Sequence, residues 1–154
     1  MTPAQPFDPG DRYRDAARAY FVYGIVYWLG GLWLELHGVG TRGSGSMLAT
    51  GVSYLVAGLV FLFGVPYVLR RPRPWFERWV LGRRDFARIL TVFMAVRAWF
   101  VLRVALRPET ASVPAPWGGE ISFRTGAAVF FIVTVVATLF VAVAAWTTDQ
   151  KVPE

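Results

Sequence analysis

The sequence offers few residues from which an active site could be built. Its 154 residues include no cysteine and a single histidine, His37, so thiol catalysis, thiolate metal sites, a HExxH zinc site and a bis-histidine haem within one chain are excluded. Glu35 stands two residues before His37, and on a helix this spacing directs the two side chains to different sides. We therefore predict that the protein is not an enzyme and that it holds no metal and no cofactor.

Arg97 is the residue whose type and position point most directly to a function. It lies near the middle of an apolar segment, residues 86–106, and a charge at the centre of a bilayer costs about 3 kcal/mol even on insertion scales. Arg103 lies closer to the end of that segment, where its long side chain can reach the headgroups. Glu35 is the one acidic residue within the apolar segments, and its depth matches that of Arg103, so we expect these two residues to pair.

Arg97 would then need a partner from elsewhere. Hydroxyl groups are available from Tyr23, Tyr27 and Tyr54. Tyr20 shares a helical spacing with Tyr23 and Tyr27, which predicts a polar track facing Arg97, a quinone-like site, or ordinary aromatic packing. Three interpretations of Arg97 stay open: a structural arginine satisfied by tyrosines, a contact to a partner subunit or a bound lipid, and a substrate or ion pathway.

Four apolar segments must position these residues. Hydrophobic residues make up 55% of the chain, which is too apolar for a soluble domain of this length. Each segment approaches the roughly 20 residues that cross a hydrocarbon core. The segments cover residues 19–36, 47–69, 86–106 and 125–146. We predict an all-α fold, an integral membrane four-helix bundle over residues 18–147. It lies between an N-terminal tail, residues 1–17, that is partly disordered up to about Tyr13, and a C-terminal tail, residues 148–154.

The placement of basic residues predicts the orientation of the bundle. The net charge of +6 comes from 15 arginines and one lysine against ten acidic residues. The region between the second and third segments carries seven of the arginines: Arg70, Arg71, Arg73, Arg78, Arg83, Arg84 and Arg88. Basic excess marks cytoplasmic loops, so we expect both termini in the cytoplasm and this loop against anionic lipid rather than nucleic acid. The arginine-rich, lysine-poor composition favours a bacterial inner membrane.

The same loop contains the pattern of a short interfacial amphipathic helix at residues 74–81. Trp75, Phe76, Trp79 and Val80 share one face at helical spacing, and Pro74 suits a first helical turn. Basic and aromatic residues in and around this helix are expected at the membrane interface: Arg70, Arg71, Arg73, Trp75, Trp79, Arg83 and Arg84. The element either anchors the neighbouring spans or recognises a lipid or a partner.

Small residues recur at the start of the second segment. Gly45, Ala49, Ser53 and Ala57 stand at intervals of four, with Gly51 and Gly58 on a neighbouring stripe. Small residues at this spacing let helix backbones approach closely in lipid. We therefore expect tight packing along this stripe, against the first helix, another copy of the chain or another protein.

These patterns agree best with an accessory or assembly subunit of a larger membrane protein complex. They combine little polar chain outside the bilayer, small-residue ridges and an arginine without an internal counter-charge. The first alternative is a homo-oligomeric channel or transporter for a small anionic solute, with Arg97 lining the path. The second is a lipid-binding or lipid-modifying protein that uses the basic loop. The expected partners are anionic membrane lipids and either a larger membrane protein or further copies of the chain.

Overall fold

The computed structural model describes residues 9–36, 55–70, 81–108 and 112–147, and these residues are mostly helical. The all-α prediction is therefore confirmed at the level of fold class. The elements are helices α1 (Pro9–Leu36), α2 (Leu55–Arg70), α3 (Arg83–Ala105) and α4 (Phe123–Trp146), and strands β1 (Ser112–Pro114) and β2 (Glu120–Ser122).

Helix α1 begins earlier than the sequence predicts. It starts at Pro9, whereas the predicted tail reaches about Tyr13, because proline suits the first turn of a helix and lacks only an N–H that has no helical acceptor there. Tyr13 packs against the core next to the fully buried Ala16 and Ala17, so the start of α1 is joined to the packed core. The extension is held by the core rather than standing free.

Helix α4 lies at the centre of the arrangement, since it packs against both α3 and α1, and α1 in turn packs against α2. At one end, Arg12 donates a hydrogen bond to the Thr147 carbonyl at 3.0 Å. At the same end, the Arg84 Nε donates to the Ala145 carbonyl at 3.1 Å. Helices α1 and α3 therefore begin where α4 ends, and both run antiparallel to it.

The core is built largely from small side chains. Its most buried members, exposed by 2% or less, are Ala16, Ala17, Leu69, Ala87, Thr134, Ala137, Val141, Ala144 and Ala145. Alanine keeps the side chains between helices short, so the backbones can approach closely and pack by van der Waals contact. The small residues of this seam lie on α1, α3 and α4.

Helix α2 contains a π-helical turn at Val60–Gly64 between two α-helical parts. Pro66 follows this turn and is buried. Proline has no N–H to donate and its ring crowds the carbonyl four residues earlier, here that of Leu62. A wider turn before the proline relieves this crowding.

A short β-hairpin, which the apolar pattern of the sequence does not predict, joins α3 to α4. Val113 pairs with Ile121, and the turn contains Gly118 and Gly119 with φ of +94° and +82°. Such positive φ values favour glycine because it has no Cβ. The Trp33 indole N–H donates to the Pro114 carbonyl at 2.8 Å, which ties the hairpin to α1.

Helix α4 is the one helix among the described residues that is both long and apolar enough to cross a membrane. The described part of α2 is apolar but shorter. Tyrosines and tryptophans lower the mean hydropathy of α1, and arginines lower that of α3. The structure thus provides one candidate span, and the four-span arrangement stays a prediction.

Candidate functional site

Arg97 contacts an aromatic ring rather than a carboxylate. Its guanidinium carbon lies 5.0 Å from the centroid of the Tyr27 ring, so α3 and α1 meet here through a cation–π contact. Such a contact is worth about 0.5–1 kcal/mol at an exposed site and about 2 kcal/mol where it is desolvated. Within the described part of the chain, Arg97 makes no hydrogen bond and no ion pair. The ring stabilises the positive charge but does not neutralise it.

The tyrosines of α1 form a continuous ladder that ends at Arg97. The Tyr20 and Tyr23 ring centroids are 5.6 Å apart, and Tyr23 stacks on Tyr27 at 6.0 Å. Phe130 of α4 closes the cluster, at 5.9 Å from Tyr23 and 5.7 Å from Tyr27. Tyr20 is 5% exposed and Tyr23 is 7% exposed, whereas Tyr27 is 39% exposed. The inner tyrosines are thus packing residues, and the ladder reaches the surface at Tyr27 and Arg97.

Arg97 sits on an exposed apolar face of α3. Neighbouring side chains on this surface are large, and Phe93 and Phe100, at four residues before and three residues after Arg97, are exposed by 69% and 54%. By the helical rise, Arg97 lies about 14 Å along the axis from Arg88 and about 9 Å from Arg103, the exposed arginine in the last turn of α3. The charge therefore lies on an apolar surface between the two basic ends of α3. Exposed apolar patches of this kind mark contacts with membranes or other proteins.

The predicted pair of Glu35 and Arg103 stays a prediction. Arg103 is exposed near the end of α3, and Glu35 belongs to α1 while its side chain lies outside the described residues. His37 and Tyr54 also fall outside the described ranges. Among the predicted polar residues, the structure brings together Tyr23, Tyr27 and Arg97.

Gly58 and Gly24 show where α1 and α2 approach each other. A Cβ atom on Gly58 would overlap the indole ring of Trp28, and one on Gly24 would lie 2.9 Å from the Leu62 Cδ1. Each glycine therefore receives a large side chain from the opposite helix. Of the other small residues predicted to pack with Gly58, Ala57 is exposed. The remaining four lie outside the described ranges: Gly45, Ala49, Gly51 and Ser53. At Gly58, the neighbour is the first helix of the same chain.

Two of the arginines expected at the membrane interface make contacts inside the protein. The Arg83 guanidinium carbon lies 3.8 Å from the centroid of the Tyr13 ring, and Arg84 donates to the Ala145 carbonyl. Arg70 is exposed at the end of α2. The other interface candidates, Arg71, Arg73, Trp75 and Trp79, and with them most of the predicted interfacial helix, fall outside the described residues.

The arginines that bind α4 have a physical role that the sequence does not reveal. The last carbonyls of a helix have no helical donor and carry the negative end of the helix dipole. Arg84 and Arg12 supply N–H donors and positive charge to this end of α4. No signal in the sequence pairs these residues, because the contact depends on which helices become neighbours.

No protein-family model, curated protein or solved structure matches the chain. Its most informative surface is the exposed apolar face of α3 around Arg97, which is partnered on one side by the ring of Tyr27.

Proposed function

We propose that this protein is an accessory or assembly subunit of a larger membrane protein complex, and that the α3 face around Arg97 is its docking surface. The observation that carries the proposal is an exposed arginine in the middle of an apolar helix face, with an aromatic ring as its described partner. The proposal has two parts: insertion of the helices in a bilayer, and completion of the Arg97 environment by a partner.

Insertion is supported by the amount of exposed apolar side chain on every helix. Examples are Val22 on α1, Phe61 on α2, Phe93 on α3 and Phe140 on α4, all of them at least 47% exposed. A soluble monomer rarely exposes apolar patches beyond a few hundred Å², whereas hydrocarbon removes the cost of exposing them. Helix α4 has 24 residues and is about 36 Å long, enough to cross a hydrocarbon core.

In that setting Arg97 is incompletely stabilised. The charge lies about 14 Å from Arg88 and about 9 Å from Arg103 along α3, so its side chain reaches the headgroups less easily than either of those two arginines does. Tyr27 offers one ring face at 5.0 Å, which offsets part of a cost of about 3 kcal/mol. A carboxylate from a neighbouring helix would supply a charge-assisted hydrogen bond and neutralise the charge.

The chemistry of the face defines the partner it fits. A transmembrane helix with an aspartate or glutamate at mid-depth would pair with Arg97. Small residues around that carboxylate would let the partner backbone approach the exposed rings of Phe93 and Phe100. The docking surface would then bury both the charge and the apolar rim.

The test is extraction of the native membrane in a mild detergent or nanodisc, followed by native mass spectrometry of the proteins that accompany the chain. We expect a larger subunit at fixed stoichiometry. Arg97→Ala should lower its retention at least about tenfold, the equivalent of one charge-assisted hydrogen bond, and Arg97→Lys should preserve part of it. Arg107→Ala, which removes an exposed arginine just after α3, serves as the matched control and should retain the partner fully.

Recovery of the chain without a larger subunit would overturn the proposal. If the chain is recovered alone as a defined oligomer, and the purified oligomer conducts an anion in liposomes with a flux that Arg97→Ala abolishes, the protein is a channel or transporter. If Arg97→Ala and Arg107→Ala retain the partner equally, the complex forms through another surface.

A further inference from the structure

An open groove of about 420 Å³ runs between α1 and α4, on the outside of the protein and apart from the Arg97 face. Its walls are apolar except at one end. The lining residues are Ala19 and Val22 of α1, Ile132, Val133, Val136, Ala137 and Phe140 of α4, and the charged Asp15 and Arg18. The charged pair lies at the end of the protein where α1 begins and α4 ends, which also carries Arg12 and Arg84.

The groove is an open apolar strip with a charged end. Ile132, Val136 and Phe140 stand four residues apart, so they share one face of α4 and extend along about 12 Å of its axis. An acyl chain of a membrane lipid can lie along such a strip, and its headgroup would then lie beside Asp15 and Arg18.

The charged end of the groove is suited to a phosphate. Arg18 lies 3.3 Å from Asp15, and both side chains are largely exposed, at 64% and 47%. An exposed pair of this kind is weak, so the Arg18 guanidinium can turn toward a second anion without a large loss. Arg14 is exposed one helical turn earlier on the same face of α1. The described residues at this end also carry more arginines than carboxylates, which attracts anionic headgroups.

We propose that the groove binds one acyl chain of an anionic phospholipid and that Arg18 holds the phosphate of its headgroup. The apolar part of the site gives affinity for the chain, and Arg18 gives preference for negative over zwitterionic headgroups. The inference rests on the membrane insertion proposed above but not on the presence of a protein partner.

The experiment uses the purified full chain in detergent, washed free of native lipid and titrated with phosphatidylglycerol or phosphatidylcholine, with bound lipids counted by native mass spectrometry. We expect one tightly retained phosphatidylglycerol and weaker retention of phosphatidylcholine. Arg18→Gln should lower the preference for phosphatidylglycerol about fivefold, the effect of one arginine on an anionic headgroup, and leave phosphatidylcholine binding unchanged. Val136→Trp should fill the groove and lower retention of both lipids.

Arg88→Gln is the matched control. Arg88 contacts Asp85 at 3.2 Å in the same i,i+3 geometry as Arg18 and Asp15, at the same end of the protein, but it does not line the groove. The Arg88→Gln variant should retain phosphatidylglycerol and phosphatidylcholine as the unsubstituted protein does. Equal retention of the two lipids, or an equal effect of Arg18→Gln and Arg88→Gln, would overturn the inference.

The failure of this inference and of the proposed function can be told apart. A chain that inserts into nanodiscs but shows no lipid preference contradicts the groove alone. A chain that fails to enter nanodiscs at all contradicts the membrane basis of both. A peptide found in the groove after native extraction, in place of lipid, would also overturn the assignment.

Discussion

Replacing Gly58 with alanine tests the packing of α1 against α2. The new methyl group would overlap the indole ring of Trp28, which is stiff and lies directly over the glycine. Overpacking of this kind costs about 1–3 kcal/mol, whereas alanine in place of glycine in a helix returns up to about 1 kcal/mol. We expect a net loss of about 1–2 kcal/mol in the free energy of unfolding.

Two other glycines provide controls with the same chemical change. Among the described residues, a methyl group on Gly30 would have no neighbour within 4 Å, so Gly30→Ala should be neutral or stabilising by up to about 1 kcal/mol. A methyl group on Gly24 would lie 2.9 Å from the Leu62 Cδ1, the flexible end of a side chain that can shift. Its cost should be intermediate. The expected order of destabilisation is Gly58→Ala, then Gly24→Ala, then Gly30→Ala.

The assay is reversible unfolding in mixed micelles, with dodecyl sulfate as the denaturant and far-ultraviolet circular dichroism as the signal. A double-mutant cycle with Trp28→Leu isolates the contact, because the smaller side chain should remove most of the Gly58→Ala penalty. Equal stability of Gly58→Ala and Gly30→Ala, or the absence of coupling with Trp28→Leu, would show that Trp28 does not limit the space at Gly58.

Three further substitutions test single contacts, each against thermal unfolding and amide hydrogen exchange. Trp33→Phe removes the N–H bonded to the Pro114 carbonyl at 2.8 Å; we expect a loss of about 1 kcal/mol and faster exchange in the β-hairpin, and unchanged exchange there would contradict the contact. Arg84→Met removes the donor 3.1 Å from the Ala145 carbonyl; about 1–2 kcal/mol should be lost and the last turn of α4 should exchange faster, while uniform exchange would argue against capping. Gly118→Ala places a residue with a Cβ at a φ of +94° and should lower the free energy of unfolding by about 1–2 kcal/mol. An unchanged melting temperature would exclude this cost.

Hydropathy predicts where the helices lie better than where they end. The third apolar segment begins at Phe86, but α3 begins at Arg83, because backbone hydrogen bonding continues through polar residues beyond the apolar run. Helix α4 begins at Phe123 because the Ser122 side chain caps it, accepting a hydrogen bond from the Thr125 N–H at 3.1 Å. A capping signal of this type is readable from sequence when it is looked for.

The β-hairpin also leaves a signal that a search for apolar segments passes over. Val113 and Ile121 flank a stretch that includes the dipeptide Gly118-Gly119, which is typical of a turn between strands. The strands are only three residues each, too short for an alternating pattern to be distinctive.

The candidate site is predictable in part. Arg97 stands out because a charge in an apolar segment is costly, and the spacing of Tyr23 and Tyr27 places them on one face of α1. That Phe130 joins these rings, and that Tyr27 offers its ring face to Arg97, depends on which helices are neighbours. Neighbour relations between helices come from packing of the whole chain, and no local pattern encodes them.

The π-helical turn at Val60–Gly64 bears on how this protein tolerates changes in chain length. A π turn holds one residue more than an α turn, so deleting a residue there closes the turn and leaves the two flanking parts of α2 in the same angular phase. The same deletion in the middle of α4 would rotate every later side chain by about 100° and carry Ala144 and Ala145 out of the core. A one-residue deletion in this turn therefore leaves the same side chains facing the interior.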